Sequence, residues 1–258
     1  MMKIQFKKDN NISYKRKRIV RVICKYKVGD SFGTGFFIER NDRLLTCFHV
    51  VFGKSLREIR KDNDLINIRS TNEHDKLQKF YDNTISTLRI ELSDGQKVDA
   101  ELLDFDEKFD IALLKINEDK NISFFKLDTN YDLDYDDNVF FCGYQYAADY
   151  ESKDFPFTVN NGVVSTFPKI IIGGEKYQHI QLNSINLGGN SGAPIFREGS
   201  NEAIAIINGN MRWGRDDILY RKDKVGQDIV GSLRIPLGIA YATPLKTLKS
   251  QTSILSQI

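Results

Sequence analysis

The chain alternates between short apolar runs and turns rich in Gly, Asp and Asn. In the first half, runs at 19–27, 31–38, 84–92 and 96–103 predict strands, and the Ser93-Asp94-Gly95 turn predicts a hairpin between the last two. The second half repeats this pattern at 138–142, 157–166, 169–172, 177–183, 203–208 and 238–242. We therefore expect an all-β fold made of two antiparallel barrels.

A short helix is expected at about 54–60, and the clearest helical pattern lies at the end of the chain. Thr243-Pro244 has the form of an N-cap followed by proline at the first helical position. Apolar residues then recur at Leu245, Leu248, Ile254 and Leu255, which predicts a short amphipathic closing helix.

Composition narrows the partners that the chain is expected to have. The 258 residues are 41% hydrophobic and 28% charged, with a net charge of +2, and no run approaches a membrane span. We expect no nucleic-acid and no membrane partner. The basic segment 1–18 lacks the apolar core of a secretory signal; a solvated arm is favoured over a site for an acidic partner.

Only three cysteines are present, Cys24, Cys47 and Cys142. An odd count without a paired pattern fits a reducing compartment, so we predict a cytoplasmic location. There is no CxxC and no Cys/His cluster in the sequence, and the Asp-rich stretch after residue 116 lacks EF-hand spacing. We therefore predict no metal site and no cofactor.

The strongest chemical signal is Gly189-Asn190-Ser191-Gly192, which is entered from a polar segment and followed by an apolar run. Flanking glycines free the backbone N–H groups to converge on one point and keep a serine hydroxyl clear of side chains. The same residues also form ordinary turns. Ser191 is therefore a candidate nucleophile that needs a base within hydrogen-bond reach.

The chain has three histidines that could supply this base. His49 follows an apolar run, His179 lies in a strand that approaches Ser191, and His74 lies in a polar stretch typical of an exposed loop. A base must itself be oriented by a third group. Asp110 stands at the mouth of an apolar strand, where a partly buried carboxylate needs a hydrogen-bond donor such as an imidazole; the alternative is an ordinary turn residue.

Taken in order, these local contexts resemble the trypsin-like, chymotrypsin-fold serine peptidases, in particular the HtrA/Deg branch. The resemblance spans roughly residues 20 to 245. Its boxes are Gly33-Thr34-Gly35-Phe36-Phe37-Ile38, Leu45-Thr46-Cys47-Phe48-His49-Val50-Val51, Asp110-Ile111-Ala112-Leu113-Leu114-Lys115-Ile116 and Gly189-Asn190-Ser191-Gly192.

The resemblance implies two six-stranded barrels with the active site in the cleft between them. The predicted domains are a basic arm at 1–18, a first barrel at 19–118 with an insertion at about 53–82, a linker at 119–137, and a second barrel with the closing helix at 138–258. HtrA proteases usually carry a PDZ domain after this point, and we expect none here.

The implied chemistry is acyl transfer. Ser191 is expected to attack a peptide carbonyl, His49 to move the proton, and Asp110 to orient the imidazole. The N–H groups of Gly189 and Ser191 are expected to form the oxyanion hole. By the same resemblance, the S1 pocket is assigned to Ile185 at its base and to Ile207, Asn208, Gly209 and Gly238 on its walls.

One departure bears on regulation. Secreted members pair a new amino terminus with an aspartate before the nucleophile, and here that position is Asn190. We therefore expect an intracellular serine endopeptidase that cuts protein or peptide substrates and is controlled by a partner or a loop. The alternative is a latent or degenerate protease-fold module that binds peptides. A lipase or esterase would require Gly-x-Ser-x-Gly and a different order of residues.

Overall fold

Two closed barrels form the fold, each made of six antiparallel strands. The computed structural model describes residues 11–27, 29–53, 72–117, 122–145, 156–172, 174–222 and 228–257. The prediction of an all-β, chymotrypsin-like fold with a short C-terminal helix is confirmed.

The first barrel closes in the strand order β1-β2-β3-β6-β5-β4. Its strands are β1 (Ile19–Tyr26), β2 (Asp30–Phe37), β3 (Arg43–Thr46), β4 (Ile85–Glu91), β5 (Lys97–Asp106) and β6 (Ile111–Ile116). Their inward apolar residues form one buried core. A short helix, α1 (Ile12–Arg16), precedes the barrel, and two helices, α2 (Phe48–Phe52) and α3 (Glu73–Thr84), lie between β3 and β4.

The second barrel closes in the order β11-β14-β13-β12-β7-β8, and β9 and β10 form a separate two-stranded sheet. Its strands are β7 (Asn138–Tyr144), β8 (Phe157–Thr166), β9 (Lys169–Ile172), β10 (Glu175–Gln178), β11 (Ile180–Asn183), β12 (Pro194–Arg197), β13 (Ala203–Lys222) and β14 (Asp228–Pro244). Helix α4 (Leu245–Gln251) and a 3-10 turn (Ile254–Gln257) close the chain.

The helix α4 starts one residue later than the sequence predicted. Its N-cap is Pro244, and no side chain caps it. Thr243 still belongs to β14, where it pairs with Ile206 of β13. Strands β13 and β14 are also far longer than the predicted runs. Bulges let them continue as a paired ribbon where the apolar alternation fails.

The predicted insertion is partly helical. Residues 54–71, which include the short helix expected at about 54–60, lie outside the described residues. Beyond them, Asn72 caps α3 by accepting from the N–H of His74. Leu77 and Phe80 of this helix are buried in the first core. The polar composition concealed the helix because only one narrow face is apolar.

The linker between the barrels is partly a core element. Phe125 is fully buried, and its N–H donates to the carbonyl of Phe37 at 2.9 Å. Three residues later, the N–H of Asp128 donates to the carbonyl of Ala203 in the second barrel at 2.9 Å. The linker therefore fixes the two barrels relative to each other.

The described part of the N-terminal arm is packed, which differs from the solvated arm that the sequence suggested. Lys15 is fully buried, with its Nζ donating to Asn201 at 2.5 Å and lying 4.9 Å from the ring centre of Phe196. Arg18 donates to the carbonyl of Phe124 at 3.1 Å. Long basic side chains can be buried when aromatic faces and polar acceptors receive them. Among the described residues, no helix is long and apolar enough to cross a membrane.

Burial lowers the pKa of Lys15 from 10.5 to about 8. Between these values the unfolded chain binds the proton and the folded chain does not, so the free energy of unfolding rises with pH in this window. Lys15→Met is expected to reduce that rise by about 1 to 2 kcal/mol, measured by denaturant unfolding at pH 7.5 and pH 10. The exposed Lys17→Met serves as the control, and equal slopes in all three proteins contradict the prediction.

Candidate active site

His49 lies on α2, a single helical turn that follows β3 directly. Val50, Val51 and Phe52 are at most 2% exposed, and the rings of Phe48 and Phe52 stack with their centres 4.1 Å apart. The His49 side chain remains 32% exposed. Because the rest of the turn is anchored in the core, the imidazole is held at the surface in a defined orientation.

Asp110 immediately precedes β6 in a left-handed backbone conformation, with φ of 55°. Asp tolerates this conformation better than most residues. Its Oδ2 accepts from Nδ1 of His49 at 2.8 Å, and its Oδ1 accepts from the main-chain N–H of His49 at 3.0 Å. Because a carboxylate only accepts, Nδ1 carries the proton, which leaves Nε2 of the neutral ring with a lone pair.

Ser191 lies on a loop of the second barrel that is bound to β2 of the first. The N–H of Thr34 donates to the Ser191 carbonyl, and Thr34 Oγ1 donates to the Gly189 carbonyl, both at 2.8 Å. The next residue, Gly192, has φ of 88°, and a Cβ there would lie 2.0 Å from the Thr34 carbonyl oxygen. The loop can approach β2 this closely only because it carries glycine at this position.

The residues before Ser191 form a turn suited to an oxyanion hole. The N–H of Asn190 donates to the Leu187 carbonyl at 3.5 Å, and Gly189, the third residue of the turn, has φ of 96°. A positive φ at this position is the signature of a type II turn. In the part of the chain that the structure describes, the N–H groups of Gly189 and Ser191 donate to no other group. Both are available to a developing oxyanion.

Asn208 on β13 contacts both Ser191 and Asp110. Ser191 Oγ lies 3.5 Å from the Asn208 carbonyl oxygen. The Asn208 side-chain Nδ2 lies 3.5 Å from Asp110 Oδ2, and Thr243 Oγ1 donates to Asn208 Oδ1 at 2.6 Å. The sequence analysis assigned Asn208 to the wall of the S1 pocket and Thr243 to the N-cap of the closing helix. Their pairing depends on the register of β13 and β14, which no local motif encodes.

A cavity of about 500 Å³ opens beside Ser191 and His49. Its remaining lining residues are Asn186, Leu187, Gly188, Asn208, Gly209 and Asn210. The position of Asn186, which is 2% exposed, was not predicted. The sequence offered no signal for it beyond its proximity to Ile185.

The residues assigned to the S1 pocket divide into two groups. Asn208 and Gly209 line the cavity. Ile207 is fully buried and Ile185 is 63% exposed, and neither lines the cavity. Gly238 lies on β14, and its carbonyl accepts from the N–H of Ser184 at 3.0 Å. Ile185 is thus turned outward from the position that family correspondence assigned to it, while Asn186 is turned inward.

The other candidate bases are placed elsewhere. His179 follows β10, and burial lowers its pKa although Asp110 opposes this effect. Its Nε2 is buried without a partner among the described residues. His74 lies on α3 with its ring stacked on Phe105, their centres 4.2 Å apart. Of the three histidines, His49 is the one that lines the cavity with Ser191.

Cys47 lies next to the His49–Asp110 pair but is engaged elsewhere. Ligand atoms of Cys47, His49 and Asp110 lie within 4.8 Å of one another. The Cys47 thiol donates to the Ile207 carbonyl at 3.2 Å, and burial raises its pKa well above the ordinary value. A buried thiol that retains its proton is a poor ligand, so this geometry favours the hydrogen-bonded pair.

Comparison with known proteins identifies relatives of the chain. Residues 33–206 match the family described as trypsin-like peptidase domain. The serine protease HTRA1 of Xenopus tropicalis is 29% identical over 178 residues, which are 66% of this chain and 30% of that protein. The periplasmic serine endoprotease DegP of Salmonella typhimurium is 29% identical over 169 residues, 65% of this chain and 30% of that protein.

The fold has similar solved structures. The HtrA-type protease AlgW with tripeptide aligns with a TM-score of 0.61 at 19% identity, covering 95% of this chain and 63% of that one. At this identity the likeness concerns the fold. The chain spans about a third of the length of the curated relatives it matches.

The contact between Gly192 and Thr34 yields a prediction. Gly192→Ala is expected to displace the loop and lower fluorophosphonate labelling of Ser191 by about 100-fold or more, because the N–H groups of Gly189 and Ser191, the candidate oxyanion donors, move with it. Gly199→Ala is the control, since Gly199 also has a positive φ of 77° but nothing within 4 Å of an added Cβ. Gly199→Ala is expected to lose only about 1 to 2 kcal/mol of stability. Equal labelling of both variants contradicts the prediction.

Proposed function

The chain belongs to the trypsin-like peptidase family, and we propose that it is a serine endopeptidase using Ser191, His49 and Asp110. The observation that carries the proposal is the double hydrogen bond from His49 to Asp110, located at a cavity that Ser191 also lines. An imidazole fixed through Nδ1 is oriented to accept a serine proton at Nε2. The proposed mechanism therefore assigns specific atoms to the roles that the sequence resemblance implied.

In the proposed first step, Ser191 Oγ attacks the substrate carbonyl carbon and His49 Nε2 takes the hydroxyl proton. The carbonyl oxygen becomes an oxyanion that accepts from the N–H groups of Gly189 and Ser191. Breakdown of this intermediate leaves an acyl-serine ester, and His49 returns the proton to the leaving amine. Water then repeats the sequence and releases the acid.

The serine hydroxyl makes a long contact with Asn208. Its oxygen lies 3.5 Å from the Asn208 carbonyl oxygen in this structure. In the proposed mechanism the hydroxyl gives up this long contact and donates to His49 Nε2, since catalytic hydrogen bonds commonly tighten when substrate binds. A catalytically latent module that only binds peptides is the outcome to be tested against this proposal.

We further propose that the protein works in a reducing, cytoplasmic setting under the control of a partner or loop. Cys24, Cys47 and Cys142 are free and buried. The Asn190 amide donates to Gln145 at 3.1 Å, so the position before the nucleophile is occupied by a neutral contact rather than by an ion pair. The relative DegP is named as periplasmic, a different compartment from the one proposed here.

Substrate preference is proposed from the amide-rich wall of the cavity. Asn186, Asn208 and Asn210 line it, together with Leu187 and two glycines, and none of these lining residues is a carboxylate. A charged P1 side chain would lose water without gaining an opposite charge. We expect substrates with an uncharged P1 residue.

The proposed nucleophile and base are tested by covalent labelling. Wild-type protein is expected to react with a fluorophosphonate probe at Ser191, and Ser191→Ala and His49→Ala are each expected to lower labelling by about 1000-fold or more. Peptide mapping of the labelled serine checks the site, and Ser165→Ala, outside the cavity, is the control. Folded wild type that binds peptides but never labels, alone or in cell lysate, would favour the latent module.

Specificity is tested by changing one amide to a carboxylate. Asn186→Asp is expected to raise kcat/KM for Lys or Arg at P1 by about 10-fold or more relative to an uncharged P1, because a charge-assisted hydrogen bond becomes available. Cleavage of a P1-varied peptide library measures the shift. Asn130→Asp makes the same chemical change at an exposed position of the linker. Basic P1 residues that already dominate in wild type would refute the proposed preference.

A further inference from the structure

Asn208 bridges the two halves of the proposed site. Its carbonyl oxygen lies 3.5 Å from Ser191 Oγ, and its side-chain Nδ2 lies 3.4 Å from the carbonyl oxygen and 3.5 Å from Oδ2 of Asp110. Ser191 and Asp110 belong to different barrels. The side-chain conformation of Asn208 therefore affects the position of Asp110 relative to the second barrel.

The chemistry of the pair dictates which end of the amide faces Asp110. An ionised carboxylate can only accept hydrogen bonds, so Nδ2 must face it, and Oδ1 must point the opposite way. There Oδ1 meets Thr243, whose hydroxyl donates to it at 2.6 Å. Thr243 is fully buried, so water cannot readily replace this donor.

We propose that Thr243 is a positioning residue for the triad. By donating to Asn208 Oδ1, it keeps the Asn208 N–H group directed at Asp110 and so holds the carboxylate in line with Nδ1 of His49. This role rests on the proposed function. In the described part of the chain, the Thr243 hydroxyl bonds to Asn208 and not to Ser191 or His49, so Thr243 acts through Asn208.

The oriented amide has an electrostatic consequence. Its positive end faces Asp110 and offsets part of the carboxylate charge that the imidazole senses. The other groups near Asp110 are the protonated Cys47 thiol, the main-chain N–H of His49, and His179, whose pKa burial lowers. With these groups neutral, the amide becomes a significant source of positive potential. Its loss is expected to favour the protonated imidazole, which is inactive as a base.

The test compares Thr243→Val, which replaces the hydroxyl with a methyl group, with Thr243→Ser, which retains it. Second-order rates of fluorophosphonate inactivation are measured from pH 5 to 9, and far-UV circular dichroism and melting temperatures establish folding. Thr243→Val is expected to react about 10-fold more slowly at pH 7. The acid limb of its pH–rate profile is expected to move to higher pH. Thr243→Ser is expected to restore both the rate and the position of the limb.

A double-mutant cycle with Asn208→Ala separates positioning from packing. If Thr243 acts through Asn208, adding Thr243→Val to Asn208→Ala causes little further loss of rate. A Thr243→Val protein with the wild-type rate and pH profile overturns the proposal, as does a loss of rate with an unmoved acid limb. Equal additional loss in the Asn208→Ala background also overturns it.

The same measurements distinguish this inference from the proposed function. Wild-type protein that shows no Ser191-dependent labelling refutes the proposed function, whatever the Thr243 variants do. Normal wild-type labelling with an insensitive Thr243→Val variant refutes only the positioning role. If Thr243→Val fails to fold, the pH–rate profiles of Thr243→Ser and Asn208→Ala decide. The positioning role of Thr243 is overturned if the acid limb of the Asn208→Ala profile coincides with that of wild type.

Discussion

The proposed site depends on the contact between Thr34 and the loop that carries Ser191. Thr34 is fully buried, and each of its polar groups is used across the barrel interface or beside it. Its N–H and hydroxyl donate to the Ser191 and Gly189 carbonyls, its hydroxyl oxygen accepts from the N–H of Tyr144 at 2.9 Å, and its carbonyl accepts from Thr46 at 2.7 Å. The first barrel therefore fixes the loop of the second barrel that carries Ser191, the proposed nucleophile.

This contact explains why the barrels must be locked together elsewhere. A small shift of one barrel would move Ser191 relative to the His49–Asp110 pair, and catalytic geometry tolerates little displacement. The linker meets this need by bonding to Phe37 on one side and Ala203 on the other. The N-terminal segment adds Lys15, whose Nζ lies on the faces of Phe140 and Phe196. The polar and basic residues of the linker and the N-terminal segment therefore help to hold the barrels together, which a solvated arm or linker would not do.

The sequence predicted the parts of the structure that local chemistry determines. Turn residues and apolar runs indicated the strands, and the boxes around His49, Asp110 and Ser191 indicated the candidate triad, whose catalytic role remains a prediction. It did not predict the inward turn of Asn186, because the side of a loop that a residue faces depends on contacts such as its amide bond to the Gly209 carbonyl at 2.9 Å. The β13–β14 ribbon was missed because main-chain pairing with bulges continues without apolar alternation.

Neutral amides at positions 190 and 208 place a particular demand on the surrounding structure. A carboxylate or an ammonium group attracts its partner from any direction, whereas an amide helps only if the correct end faces the partner. Asn190 is oriented by Gln145 and Asn208 by Thr243. Each amide therefore needs a further residue to set its direction. A site built this way avoids buried charges, but its geometry depends on residues one step removed from the substrate.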